Sequence, residues 1–373
     1  MKGANLFKVR LETRAPLFIG SGLVYKKKEF IHNPRNNVVI VIDHNKLMEW
    51  LISKNNPELI DMYEKFMMGN DRLYLENFLG LKEIKDVMKE QQGLFLYRTD
   101  AGAAINITGT LSDIQVFMRD PYNRPYVPGS SLKGALRTVI LTKMIRDDKR
   151  PLPLPDDISR KYSANNTEIH YLHRLTRHKN SANALNSIMS GLSVSDSLPI
   201  PQESMMLAKK IDRFRDGTDN PNQLNVVREC VKPGVEIAFS LTLDPSICGP
   251  ITEDFLRDAI REYGDYYKKT FCDKFPLPDN ADQENFDDCI LLGGGTGYFS
   301  KNIVYPGRDW ETALKRVSDM MSRKFRRHKH EKDIAIGVSP RTIKYTQAKN
   351  QNGAVRSYQF GVCRFSMEKV QAC

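Results

Sequence analysis

The sequence predicts an α+β protein, and three observations carry that prediction. Near the start, "NLFKVRLETRAPLFIG" sets Leu6, Val9 and Leu11 against Lys8, Arg10 and Glu12, the period-two alternation expected of a half-buried strand. "GVEIAFSLTLD" and the closing "SYQFGVCRFSMEKV" read as strands in the same way. Between them, "SSLKGALRTVI" and "ITEDFLRDAIREYGDYYKK" repeat apolar residues at helical spacing.

The remaining elements follow in order. After the first strand come a glycine loop, "IGSG", and a basic run, Lys26–Lys28. Residues 43–92 read as helical, in "HNKLMEWLISK", "PELIDMYEKFM" and "YLENFLGLKEIKDVMKEQQ". "LFLYRT" and "IQVFMRD" read as strands. "RPYVPGSSLKGALRTVI" then turns into a helix with Leu132, Ala135, Leu136, Val139 and Ile140 on one face. "KRPLPLPDD", 149–157, breaks the chain, and 165–190 is mixed helix and loop. "GLSVSDSLPI" and "SMMLAKKIDRF" are expected strands, and the turn-rich Arg215–Asn225 an expected projecting hairpin tip. Thr252 caps the helix that begins with Glu253 and Asp254. An acidic loop at 279–288, a glycine loop in "LLGGGTGYFS" and a basic helix over about 309–330 lead to the final strand.

Charge points to the partner class. The 56 Lys and Arg outnumber the 45 Asp and Glu, for a formal net charge of +11. A pI near 9.2 suits a polyanion, most often nucleic acid. The six cysteines have no CxxC spacing, which argues against a zinc ribbon or redox pair and suits a reduced, cytoplasmic protein. No apolar run approaches membrane-spanning length, so no membrane partner is expected.

One helix start is unusual. Acids normally complement the positive end of the helix dipole, as Glu253 and Asp254 do. The helix after Pro128 instead opens with Gly129, Ser130 and Ser131, then Lys133 and Arg137. Such an end can hold a phosphate, with Lys133 and Arg137 sharing a face four residues apart. The same residues also suit a Ser-capped surface helix with two solvated cations. Gly293, Gly294, Gly295 and Gly297 match neither the Walker pattern nor GxGxxG. They allow close approach of a sugar–phosphate chain, or a flexible turn.

Taken together, "FIGSG", "PYVPGSSLKGALR", "VSDS", "IDRFRDGT", "VVRECVKPGVEIAFSLTL" and "GGGTGYFSKNIVY" resemble the RAMP superfamily of CRISPR-associated proteins, whose members bind guide RNA. The chain is most similar to the subunit that caps the crRNA 3′-end side of type III-A (Csm) effector complexes. The resemblance implies a ferredoxin-like, RRM-type core with strands at about 5–14, 192–199, 205–214 and 298–305, an added strand at 235–244, and helices at about 130–146 and 252–269. It divides the chain into a discontinuous core at 1–42 and 93–305, a thumb hairpin at about 214–227, a helical insertion at 43–92 and a basic C-terminal extension at 306–373. A second, degenerate RRM-like unit is a further expectation.

For function, the resemblance implies contacts to crRNA and target RNA, to other subunits of the complex, above all the repeated backbone subunit, and to host trimming nucleases. Beside the residues already named, it adds Gly20, Ser21, Lys27, Lys28, Arg213, Arg215 and Lys301 as RNA contacts, with no cofactor and no metal. The backbone subunit cuts target RNA with an aspartate in the loop after strand one. Here that loop carries Lys26–Lys28 and only Glu29 nearby. Lysine cannot bind a hard cation or act as a carboxylate base, so a non-catalytic subunit is expected. The alternative is a metal-independent endoribonuclease acting on precursor crRNA, with His32, His44 and the set His170, His173 and His178 as candidates. Asp196 of "VSDS" is expected to brace a loop, and "HKH" at 328–330 to belong to the basic helix. Residues 308–349 hold 12 Lys or Arg against 5 acids, a solvated face or an RNA or subunit contact.

Overall fold

A computed structural model describes residues 3–370 apart from 34, 70–73, 77, 80–92, 104–112, 149–162, 221–225, 282–284 and 351. The chain opens with strands β1 (Asn5–Thr13), β2 (Gly20–Tyr25), β3 (Phe30–Asn33) and β4 (Val38–Ile42). Helices α1 (His44–Ser53) and α2 (Pro57–Met68) follow, each started by a capping side chain, Asp43 and Asn56. Next come β5 (Phe95–Asp100), β6 (Ile114–Phe117), α3 (Gly129–Asp147) and α4 (Ser163–Leu172). The central stretch holds β7 (Leu192–Val194), β8 (Met205–Lys209), β9 (Ile211–Phe214), β10 (Val227–Val231) and β11 (Glu236–Leu243). The C-terminal third supplies α5 (Glu253–Thr270), β12 (Cys289–Leu291), α6 (Trp310–Lys324), β13 (Thr342–Lys349), β14 (Val355–Gln359) and β15 (Val362–Lys369).

Three sheets result. The first has the order β12-β15-β1-β11-β7, with every neighbour antiparallel. Val9 and Leu11 of its central strand are fully buried while Lys8 and Arg10 face out, as expected, but Leu6 is exposed with them and Phe7 takes the inward place, because successive side chains of a strand alternate faces. Helices α3 and α5 pack together in the same core through Leu132, Leu136, Val139 and Ile140, and Leu256, Ile260 and Tyr267. The second sheet, β2-β6-β10-β8-β5-β4-β3, carries α1 and α2 on a smaller core of Ile31, Ile40, Leu47, Leu51, Tyr63 and Phe66. A third, β14-β13-β9, joins the C-terminal region to the middle of the chain.

Several expected elements differ. Residues 298–305 are not a strand but the helical turns Phe299–Lys301 and Tyr305–Gly307. Asn302 accepts from the amides of Val304 and Tyr305, and Pro306 has no amide for a ladder. The place beside β1 belongs instead to β15, so the C-terminal strand enters the central sheet. The strand expected at 205–214 breaks at Lys210 into β8 and β9, which join different sheets. The stretch 192–199 is a strand only to Val194. The strand expected as an addition at 235–244 is β1's direct partner. The basic helix ends at Lys324, and the last segment is not one strand but two, β14 and β15, which join different sheets on either side of Gly361, φ +78. Most of the third helix expected in 74–92 lies outside the described residues. Among the described residues, no helix is long and apolar enough to cross a membrane.

Candidate nucleic-acid interface

The start of α3 carries no acid of its own, and its N-cap, Pro128, offers no side-chain bond. The acid comes from elsewhere. Asp196 of "VSDS" accepts the Gly129 amide at 2.8 Å, which complements the dipole from a distant part of the chain. Gly129 is glycine because a Cβ there would stand 2.3 Å from the Val194 carbonyl oxygen. It is buried, and its donor is already used.

The turn beyond is open. Ser130 is exposed and Ser131 half-buried, and neither hydroxyl has a partner among the described residues. With Gly134 and Thr138 they form one face of α3, which walls a cleft of about 400 Å³. The opposite wall is Leu291–Gly294 with Ser300 and Lys301, and Ile19 and Gly20 close the end. Gly20, Ser130, Ser131, Gly293, Gly294 and Lys301, far apart in sequence, therefore meet. Lys301 is exposed and, among the described residues, is the only charged side chain lining the cleft.

The glycine loop is held by the fold itself. The Gly294 amide donates to the Phe18 carbonyl at 2.8 Å, and a Cβ on Gly293, φ +89, would come within 2.2 Å of that oxygen. Gly20 and Gly294 leave room for the Phe18 ring, Gly295 for Phe360 and Gly297 for the stem of Lys344. Gly134 differs: nothing lies within 4 Å of where its Cβ would stand. Gly134 and Thr138 escaped the sequence reading. The signal was a glycine in the interior of a helix, four residues after Ser130, where it costs helix stability without a packing reason.

Other candidates lie away from this cleft. Lys133 and Arg137 sit one helical step round from its wall. Arg137 pairs with Glu168 of α4 at 3.0 Å, and burial beside Arg137 holds the Lys133 ammonium below the usual lysine range. The Ser21 hydroxyl donates to the Val116 carbonyl. The basic run is tied down: Lys26 bonds Asp113 at 2.6 Å, Lys27 lies over the Tyr74 ring, and Lys28 donates to the carbonyls of Phe66 and Gly69. Lys28 thus neutralises the C-terminal end of α2. Arg213 bonds Asp219 and the Pro276 carbonyl, and Arg215 bonds the Ile336 carbonyl. The described part of the expected projecting tip, 215–220, folds back on β9 through Phe214–Thr218 and Asn220–Asp212 bonds; residues 221–225 lie outside the described residues.

The candidate histidines do not come together as one site: His32 is on β3, His44 Nδ1 lies 2.6 Å from the Tyr63 hydroxyl, and the others are on or after α4. His173 Nδ1 bonds the Ser181 carbonyl at 2.8 Å, and His178 Nδ1 accepts from the Asn180 amide at 3.0 Å. His170 is exposed and packs edge-on against Tyr171. "HKH" lies beyond the helix it was expected to join, and His330 is buried against Asp333. Cys230, Cys248, Cys272, Cys289 and Cys363 are buried and unpaired as disulfides. Among the described residues, no group of three or more His, Cys, Asp or Glu side chains could share a metal ion.

Comparison with known proteins places this architecture. The chain is 27% identical over 348 residues to "CRISPR system Cms protein Csm5" of Streptococcus thermophilus, covering 92% of this chain and 88% of that one. It is 25% identical to the protein of the same name from Enterococcus italicus, over 98% of both. In fold it is similar to a chain in "Cryo-EM structure of Csm-crRNA-target RNA ternary complex in type III-A CRISPR-Cas system", with a TM-score of 0.63 at 19% identity over 96% of this chain and 100% of that one. "Crystal structure of T.onnurineus Csm5" gives 0.59 at 18% identity, over 82% of this chain and 96% of that one. Residues 10–315 match the family model of the RAMP superfamily, and the chain belongs to that superfamily.

Proposed function

We propose that this chain is a non-catalytic RNA-binding subunit of a type III-A CRISPR interference complex. In this reading it holds the 3′ region of the crRNA, caps the backbone filament, contacts target RNA and the repeated backbone subunit, and supports crRNA maturation by recruited nucleases. The five-stranded sheet with α3 and α5 is then its ferredoxin-like unit, with β15 in the strand position beside β1. The observation that carries the reading is the cleft. Two unpartnered serine hydroxyls and the open Gly134 share one wall across from an exposed lysine, with no acid among the described lining residues. A phosphodiester chain supplies the charge this surface lacks. Gly20, Ser130, Ser131, Gly134, Thr138, Gly293, Gly294 and Lys301 are its proposed contacts.

The test is incubation of purified protein with mature and precursor crRNA, with and without Mg²⁺, followed by cross-link mapping in the reconstituted complex. The expected result is intact RNA cross-linked through its 3′ region to the peptides carrying Ser130 or Lys301. Cleavage that disappears in His170→Ala or His173→Ala would replace this reading with a processing nuclease.

A further inference from the structure

The ten residues after Ser322 carry six Lys or Arg and one acid, Glu331. Arg323 and Lys324 close the last turn of α6, and the other four cations lie beyond its end, so the run is not the solvated side of one helix. Arg323 to Lys329 are all exposed, Phe325 among them. The Phe325 and His328 rings stack with centroids 5.5 Å apart and planes 17° apart, and the Lys324 ammonium lies 5.5 Å from the Phe325 ring. The surface thus combines cations with an exposed aromatic stack.

A buried latch shapes this turn from beneath. Lys329 takes the left-handed conformation, φ +53, which a lysine adopts only under constraint. Arg341 supplies the constraint by donating to the carbonyls of both His328 and Lys329 at 2.7 Å. Arg341 is itself held by Asp333, fully buried, at 2.9 Å. Asp333 also bonds His330 Nδ1 at 2.8 Å and accepts from Ser339 at 2.7 Å, while Ser318 donates to the His330 carbonyl. A merely solvated charge run needs no such support. Here the fold commits buried polar groups to holding like charges together, against their mutual repulsion.

We propose that Lys324–Lys329 is a second contact surface for single-stranded RNA, separate from the cleft, with Lys324, Arg326, Arg327 and Lys329 on phosphates and the Phe325–His328 stack as a base platform. The aromatic stack favours RNA over an acidic protein, because bases stack on rings and carboxylates do not. This inference rests on the RNA-binding reading above.

The test uses the full-length chain, a short mixed-sequence single-stranded RNA, and polyglutamate as an acidic peptide probe, with thermal melts to confirm folding. Arg326→Ala with Arg327→Ala should flatten the slope of log K against log salt by about 1.4, two contacts of about 0.7 each. Phe325→Leu keeps the charge and the apolar anchor, and should lose about tenfold in RNA affinity through the missing stack. Both losses should add to that of Lys301→Ala. If these variants bind RNA like wild type while Lys301→Ala binds weakly, this proposal is wrong and the cleft reading stands. Polyglutamate binding that is lost in Arg326→Ala/Arg327→Ala without change in RNA affinity would assign the surface to an acidic protein instead. Absence of RNA binding by the wild-type chain would remove both readings.

Discussion

Gly134 and Gly293 are both glycines of one cleft, yet they are glycine for opposite reasons. Gly134 is a helical residue with open space beside it. Relative to alanine it costs a helix about 0.8–1 kcal/mol, and no neighbour in the fold needs the room. Gly134→Ala is therefore expected to raise stability by about 0.5–1 kcal/mol and to weaken RNA binding, since the new methyl narrows the cleft. A thermal melt beside an RNA titration checks both halves; unchanged affinity would mean that nothing approaches this wall. Gly293 has φ +89, and a Cβ there would overlap the Phe18 carbonyl at 2.2 Å. Gly293→Ala should lower stability by at least about 2 kcal/mol, and a variant as stable as wild type would contradict the packing described here. The "GGG" run drew attention in the sequence, but its spacing could not reveal that Phe18, Phe360 and Lys344 fill its gaps. Those contacts join positions remote in the chain.

Among the elements, α3 was the most legible. Its apolar stripe marked the buried face correctly, and Leu136 is fully buried. Leu136→Ala should cost about 2–5 kcal/mol, seen as a lower denaturant midpoint. The strand at 298–305 misled because "YFSKNIVY" has strand-like composition, while the Asn302 cap and Pro306 decide the backbone locally. The split at Lys210 was hidden for another reason: β9 is defined by its pairing with β13, more than a hundred residues later. That pairing sets Asp212 opposite Lys344, with Lys210 also at 2.8 Å. Burial pushes the Asp212 carboxyl up, but Lys344 and Lys210 outweigh it and hold its pKa below the ordinary aspartate value. A depressed folded-state pKa stabilises fully above the unfolded value of about 3.9 and is lost as pH falls through the folded value. Acid unfolding of Asp212→Asn should thus lose a proton-linked component below about pH 4. At neutral pH the variant should be less stable by roughly 1–3 kcal/mol, because both lysines lose their partner. Identical acid profiles would show that Asp212 contributes nothing to this sheet.

At the scale of the whole molecule, three loops that belong to different parts of the chain meet over the central sheet. β1 delivers Gly20 through the turn after it, α3 delivers Ser130 and Ser131, and the segment after β12 delivers Gly293, Gly294 and Lys301. Several cations that looked equally suited to RNA in the sequence are absorbed by the fold: Lys28 by the end of α2, Arg137 by Glu168, Arg213 by Asp219. A sequence shows that a residue is basic but not whether a distant carboxylate or carbonyl already holds it. The 56 Lys and Arg therefore overstate the cations free for a ligand, and the cleft itself carries few charged groups. The most direct test is a salt titration of RNA binding by Lys301→Ala on two unrelated single-stranded RNAs, with a melt to confirm folding. The account predicts equal weakening on both, a log–log salt slope flattened by about 0.7, and RNA recovered intact. An unchanged slope and affinity in the folded variant would contradict it.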